Sequence, residues 1–106
     1  ICDFRGVRRW LEDRQTQGGA GRLVVSRAAE RAARHQPCAK EVAMAKLCSS
    51  ETLQTVSRQG MQILGGHSML PEADMERYFR EGMQCTIGGG TSQIQRTIIS
   101  KAMRQR

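Results

Sequence analysis

The sequence predicts an all-α chain built from antiparallel helices. Three observations carry this. Apolar residues recur at helical spacing in three segments, Pro and Gly clusters separate those segments, and no apolar alternation runs long enough for a strand. Helices joined by short connections pack antiparallel, as in a bundle.

The first helix is expected over residues 4 to about 35, where Val7, Leu11, Leu23, Val24 and Ala28 recur at helical spacing between Arg and Glu. Gln17-Gly18-Gly19-Ala20-Gly21 is its weak point, because each Gly costs roughly 1 kcal/mol against Ala. The stretch marks either a kink or a place where another helix approaches closely. His35-Gln36-Pro37 is a boundary, since proline disfavours helix at the residue before it and suits the first turn of a new one.

A second helix is expected over 38–64, with Val42, Ala45, Leu47, Leu53, Val56 and Ile63 as its apolar stripe, ended by Gly65-Gly66. Residues 67–90 read as a connector holding one short helix, opened by Pro71, with Met75, Tyr78, Phe79 and Met83 as its buried side. Gly88-Gly89-Gly90 breaks it, and the last helix starts near Thr91 or Ser92. Ser92 and Gln95 have the spacing of a capping box, and Ile94, Ile98 and Ala102 share one face. No internal repeat or low-complexity segment is visible.

At 106 residues the chain is one small domain or part of one. A domain this short buries a modest share of its surface and is marginal without partners. It opens on Ile1 rather than Met, so further chain upstream is expected. Lys plus Arg number 17 against 10 Asp plus Glu, a net charge of +7. Such a balance fits nucleic acid, an anionic surface, or anionic ligands such as CoA thioesters and dinucleotide phosphates, but solvated helix faces are the simpler reading. Arg5, Arg8, Arg9, Arg14, Arg22, Arg27, Arg31 and Arg34 all lie on the first helix, several on one face. Aromatic residues make up 4% of the chain and no recognition motif accompanies the charge, so nucleic acid is not an expected partner.

Cys2, Cys38, Cys48 and Cys85 lack CxxC spacing, which argues against a zinc site and for reduced thiols in a reducing compartment. No apolar run approaches a membrane span, and no signal peptide is visible. His35 and His67 have no Asp, Cys or Ser placed to suggest catalysis, and the six methionines read as packing residues.

Two stretches carry chemistry. Gly88-Gly89-Gly90-Thr91-Ser92-Gln93 runs a glycine loop into a helix start, where free N–H groups and the positive end of the helix dipole suit a phosphate. A plain flexible connector explains it equally well, and no GK[ST] follows to make it a Walker loop. Gln62-Ile63-Leu64-Gly65-Gly66, taken alone, is a helix C-cap with an exposed glutamine.

Taken in order, Ala45-Lys46-Leu47, Gln62-Ile63-Leu64-Gly65-Gly66, Met75-Glu76-Arg77-Tyr78-Phe79-Arg80, and Gly90-Thr91-Ser92-Gln93-Ile94-Gln95-Arg96 with Ile98-Ile99 resemble the C-terminal half of the acyl-CoA dehydrogenase family. That family reads AK, QI-GG, ER-YR and GTS-IQR in the same order. The match is good over residues 45–103 and weaker over 1–40. The resemblance implies that residues 1–106 are a C-terminal helical domain without its upstream domains. It implies an incomplete four-helix up-and-down bundle, with three bundle helices plus a short connector helix. It further implies an FAD-dependent oxidoreductase that converts acyl-CoA to 2-enoyl-CoA, passes electrons to an acceptor, and self-associates through the bundle as a tetramer or dimer. A cytoplasmic or mitochondrial-matrix setting follows from it.

Carried over residue by residue, Gln62, Gly65 and Gly66 match the turn that contacts the ADP half of FAD, typically on a neighbouring subunit. Thr91 and Gln93 match residues that reach the pyrophosphate and adenosine. Arg80 matches the arginine of the family's YRD segment, with Glu81 for the aspartate, and a structural ion pair is its expected role. The family commonly places its catalytic glutamate directly before the glycine of GTS. Here that residue is Gly89, preceded by Gly88 in the aromatic position. The base is therefore expected either on a bundle helix upstream of Ile1, or nowhere, which would make the chain a non-catalytic oligomerisation module or partner subunit. Ser68 and Ala73-Asp74 also depart from the pattern and leave the course of residues 67–74 open.

Overall fold

The computed structural model describes residues 3–105. They form four helices, α1 (Arg5–Ala33), α2 (Ala39–Leu64), α3 (Met75–Cys85) and α4 (Ser92–Arg104). Two short 3-10 turns, Gly65–Met69 and Pro71–Ala73, lie between α2 and α3. No strand occurs among the described residues.

The helix α1 runs unbroken through its glycines. Gly18 and Gly19 face open space, whereas a Cβ on Gly21 would lie 3.8 Å from Cys48 Sγ on α2. The glycine stretch thus marks a close approach rather than a kink. At the far end, the His35 N–H donates to Ala32 O and the Gln36 N–H to Arg31 O, both at 3.0 Å. His35 has φ 54, so a histidine fills the left-handed position that glycine usually takes in this helix stop. Arg31 fastens the turn that follows. Its Nε and Nη2 donate to Pro37 O at 3.1 and 2.9 Å, and Nε lies 3.5 Å from the Glu41 carboxylate. Arg31 is therefore a half-buried brace between α1 and α2, not part of a solvated arginine face.

All three other helices pack on α2, and among the described residues α1, α3 and α4 make no close backbone approach to one another. The most buried residues of α2 are small: Ala43, Ala45, Ser50 and Ser57. The serines return their hydroxyls to their own helix, Ser50 Oγ to Lys46 O at 2.8 Å and Ser57 Oγ to Leu53 O at 2.7 Å, which satisfies them without a partner from outside. Val42 and Val56, expected in the buried stripe, are exposed. Small residues mark where helices touch, and the wider apolar side chains flank those contacts with nothing over them.

The α2–α3 crossing repeats this pattern. A Cβ on Gly82 would sit 3.1 Å from Ser57 Oγ and 3.2 Å from Gln54 Cα, and one on Gly60 would overlap Met75 Cε. The two helices are thus antiparallel and nearly in backbone contact. Gly82 is the buried residue of α3, whereas Tyr78 and Met83, expected on the buried side, are exposed. On α4, Ile94 is likewise exposed, while Ile99 and Met103 border an open groove of about 600 Å³ with Val24 of α1 and Met44 and Leu47 of α2.

The chain lacks a core of large side chains. Among the described residues the three buried apolar ones are alanines, and the one side chain less than 2% exposed is Ser57. The radius of gyration is 16.2 Å, against about 13 Å for a closed domain of this length. The accessible surface is 7883 Å², against about 5,900 Å² for a compact monomer of this mass.

The isolated chain should self-associate or aggregate, and a monodisperse, cooperatively melting monomer in analytical ultracentrifugation and calorimetry would contradict this. In the assembled protein, Gly82→Ala should destabilise by about 1–3 kcal/mol by forcing α3 off α2. Gly18→Ala, in open helix, should stabilise by about 0.5–1 kcal/mol. Denaturant melts of the two variants compare them directly.

Candidate functional site

The residues singled out from the sequence fall into two clusters. The first is the C-terminal end of α2. Gln62 is exposed there, and Gly65 ends the helix at φ 57 with its N–H bonded to Met61 O. Ser68 Oγ donates to Gly65 O at 2.7 Å and holds the following turn. A Cβ on Gly65 or Gly66 would meet nothing within 4 Å. The peptide edge of this turn is thus open to an incoming group.

The second cluster is the glycine loop and the start of α4. Gly89 (φ 67) and Gly90 (φ 97) are left-handed, which only glycine adopts without strain. Thr91 is the N-cap, its Oγ1 accepting from the Ile94 N–H at 3.2 Å. This corrects the expected capping box. Ser92 is the first residue inside the helix, and Gln95 turns back to the loop, donating through Nε2 to Gly89 O at 3.3 Å and Gly90 O at 3.4 Å. The Ser92 N–H is taken by Thr86 O at 3.1 Å, and Ser92 Oγ is buried with no partner among the described residues. Gln93 is exposed, and its N–H has no acceptor among the described residues. Of the first-turn donors of α4, then, Ser92 and Ile94 are occupied, and Gln93 is left open at the positive end of the helix dipole.

Lys46 was visible only as part of an AK pair. It reaches across from α2, and its Nζ donates to Cys85 O and Gly90 O, both at 2.7 Å. Nothing local in the sequence signals a bond to residues 39 and 44 positions away. These bonds place the start of α4 beside Lys46, whereas Gly65 lies near the far end of α2. At 1.5 Å per residue the two clusters are roughly 28 Å apart along that helix. One chain does not bring them together.

The remaining candidates are quieter. Gly89 is exposed, and a Cβ on it would meet nothing within 4 Å. Arg80 makes an exposed ion pair with Glu76 at 3.7 Å, and Glu81 pairs with Arg77 at 3.8 Å. Exposed pairs of this kind contribute little. His35 and His67 are exposed. Cys38, Cys48 and Cys85 are free thiols, while Cys2 lies outside the described residues. Among the described residues no cluster of three metal-ligating side chains occurs, and no helix is long and apolar enough to cross a membrane.

The family model described as acyl-CoA dehydrogenase, C-terminal domain, matches residues 1–104. The chain belongs to the acyl-CoA dehydrogenase family. It is 43% identical over 81 residues to the mitochondrial short-chain specific acyl-CoA dehydrogenase of Rattus norvegicus, covering 76% of this chain and 20% of that protein. The solved structure of butyryl-CoA dehydrogenase from Megasphaera elsdenii matches with a TM-score of 0.94 at 27% identity, over 97% of this chain and 27% of that one. An FAD complex of PigA matches with a TM-score of 0.93 at 27% identity, over 98% of this chain and 27% of that one. The chain therefore spans 20–27% of the length of these three proteins.

Thr91→Ala should cost about 1 kcal/mol through loss of the N-cap, and Thr91→Ser should retain most of it. Denaturation of the assembled protein measures both.

Proposed function

We propose that this chain is the C-terminal part of an FAD-dependent acyl-CoA dehydrogenase that oxidises acyl-CoA to 2-enoyl-CoA. In this reading it contributes contacts to the ADP side of the flavin and packing between subunits. The observation that carries the proposal is the open start of α4, where the Gln93 N–H is without an acceptor and Thr91 caps the helix beside a glycine loop. A helix N-terminus of this kind suits a pyrophosphate. The exposed Gly65-Gly66 edge offers a second approach free of Cβ atoms.

When bound, FAD supplies the acceptor for the hydride that leaves the β-carbon. The residues of this chain bind and orient. Gln62 and the Gly65-Gly66 backbone would contact the ADP half of the cofactor, and Thr91 with Gln93 would reach its pyrophosphate and adenosine. Their separation of roughly 28 Å along α2 favours an arrangement in which the two clusters of one chain serve cofactors shared with a neighbouring copy. Gly89 has no side chain to take a proton, so the base that removes the α-proton comes from another segment of the full protein.

Self-association has its own support. The surface beyond that of a compact monomer is about 2,000 Å², more than the roughly 800 Å² per partner of an ordinary interface. The groove bounded by Val24, Leu47, Ile99 and Met103 is open and apolar, a surface that a further helix or a neighbouring copy would cover. A tetramer or dimer is the expected assembly, with an acyl-CoA thioester as substrate and a separate protein or small molecule as electron acceptor.

The full-length protein should purify as a yellow oligomer whose flavin absorbance bleaches when an acyl-CoA is added anaerobically. Bound flavin that no acyl-CoA reduces would favour a non-catalytic partner subunit, and no flavin even after added FAD would favour a pure assembly module. Gly66→Val, which fills the open edge of the α2 turn, should weaken FAD by about tenfold or more, equivalent to at least about 1.4 kcal/mol. Flavin fluorescence titration of the apoprotein reads this.

A further inference from the structure

We infer that Lys46 is the positioning residue of the glycine loop and, through it, of the α4 start; its bearing on cofactor rests on the function proposed above. Residues 86–91 have every reason to wander. Three consecutive glycines carry no side chain to pack, two of them are left-handed, and glycine loses more conformational freedom on ordering than any other residue.

The loop is nevertheless held at both ends by side chains from outside it. Lys46 Nζ joins Cys85 O, at the last residue of α3, to Gly90 O, directly before the Thr91 N-cap, both at 2.7 Å. Gln95 Nε2 adds the weaker bonds to Gly89 O and Gly90 O. One ammonium thus ties the end of α3 to the start of α4, and it does so from α2, the helix on which both rest. A cation at a helix C-terminus is itself favourable, so the α3 end anchors the lysine as much as the lysine anchors the loop.

The geometry also explains the close fit around Gly90. A Cβ there would come within 2.7 Å of Gln95 Nε2. The carbonyls of residues 89 and 90 are taken up by the two side chains. Without Lys46, two carbonyls lose a charged donor, and the direct hydrogen bonds left between the loop and the start of α4 are those of the Gln95 amide and of the Ser92 N–H to Thr86 O.

The test uses the full-length protein with Lys46→Met, Lys46→Gln and Lys46→Arg, read by amide hydrogen exchange and by FAD titration. Lys46→Met should raise exchange of residues 88–94 by about tenfold and weaken FAD by a similar factor, with exchange in the α1–α2 turn unchanged. Lys46→Gln, which keeps an N–H donor, should fall between, and it decides the matter if Lys46→Met does not fold. Lys46→Arg should restore most of the loss. Exchange that rises equally throughout the helices would overturn the inference, because Lys46 would then be a general packing residue. So would a loop whose exchange is unmoved. If the unaltered protein takes up no FAD, the proposed function falls, and the exchange of residues 88–94 still decides the role of Lys46.

Discussion

Everything in this structure depends on how closely one helix lets its neighbours approach. The helix α2 is the common support, and its contacts are made by Ala43, Ala45, Ser50, Ser57 and Gly60, with Gly21 and Gly82 facing it from α1 and α3. Short side chains give the helices intimate backbone contact but little hydrophobic burial. Dispersion across such a tight seam is real, yet the large apolar groups that would supply the transfer free energy are left on the rim. The hydrophobic stabilisation of Leu23, Val42, Ile94 and Met103 is therefore realised only when something else covers them.

That arrangement accounts for which parts of the fold were legible in the sequence. Helix number and order were, because Pro37, Gly65-Gly66 and the triple glycine are local signals that act through the backbone, but the start of α3 was not, since Pro71 opens a 3-10 turn and the helix begins at Met75. Facing was not. The periodicity of Val42 and Val56, or of Tyr78 and Met83, identifies an apolar stripe without saying what covers it. In this chain the stripe is wider than the contact, so its edges remain bare. The capping arrangement failed for a related reason. Ser92 and Gln95 have capping-box spacing, but Thr91 one residue earlier has the extended backbone a cap needs, with ψ 161.

The candidate site divides in the same way. Gly65, Gly66, Thr91 and Gln93 stand out as glycine turns and helix ends, and the structure gives each an open edge or a cap. Their separation along α2 is a tertiary fact with no local signature. So is the reach of Lys46, whose partners lie across two helix junctions. Gly89 differs again. Its lack of a side chain is plain in the sequence, whereas its left-handed backbone, which would strain most replacements, is not.

The hub arrangement has a consequence for how the chain comes apart. With no close backbone approach between α1, α3 and α4 among the described residues, no two of them are packed against each other once α2 is lost. Fraying of α1 or α4 can be local, but unwinding of α2 removes every neighbour at once. An open, thinly cored shape would ordinarily suggest piecemeal melting. Here the single shared helix concentrates cooperativity in one element, and hydrogen exchange protection should be graded outward from it.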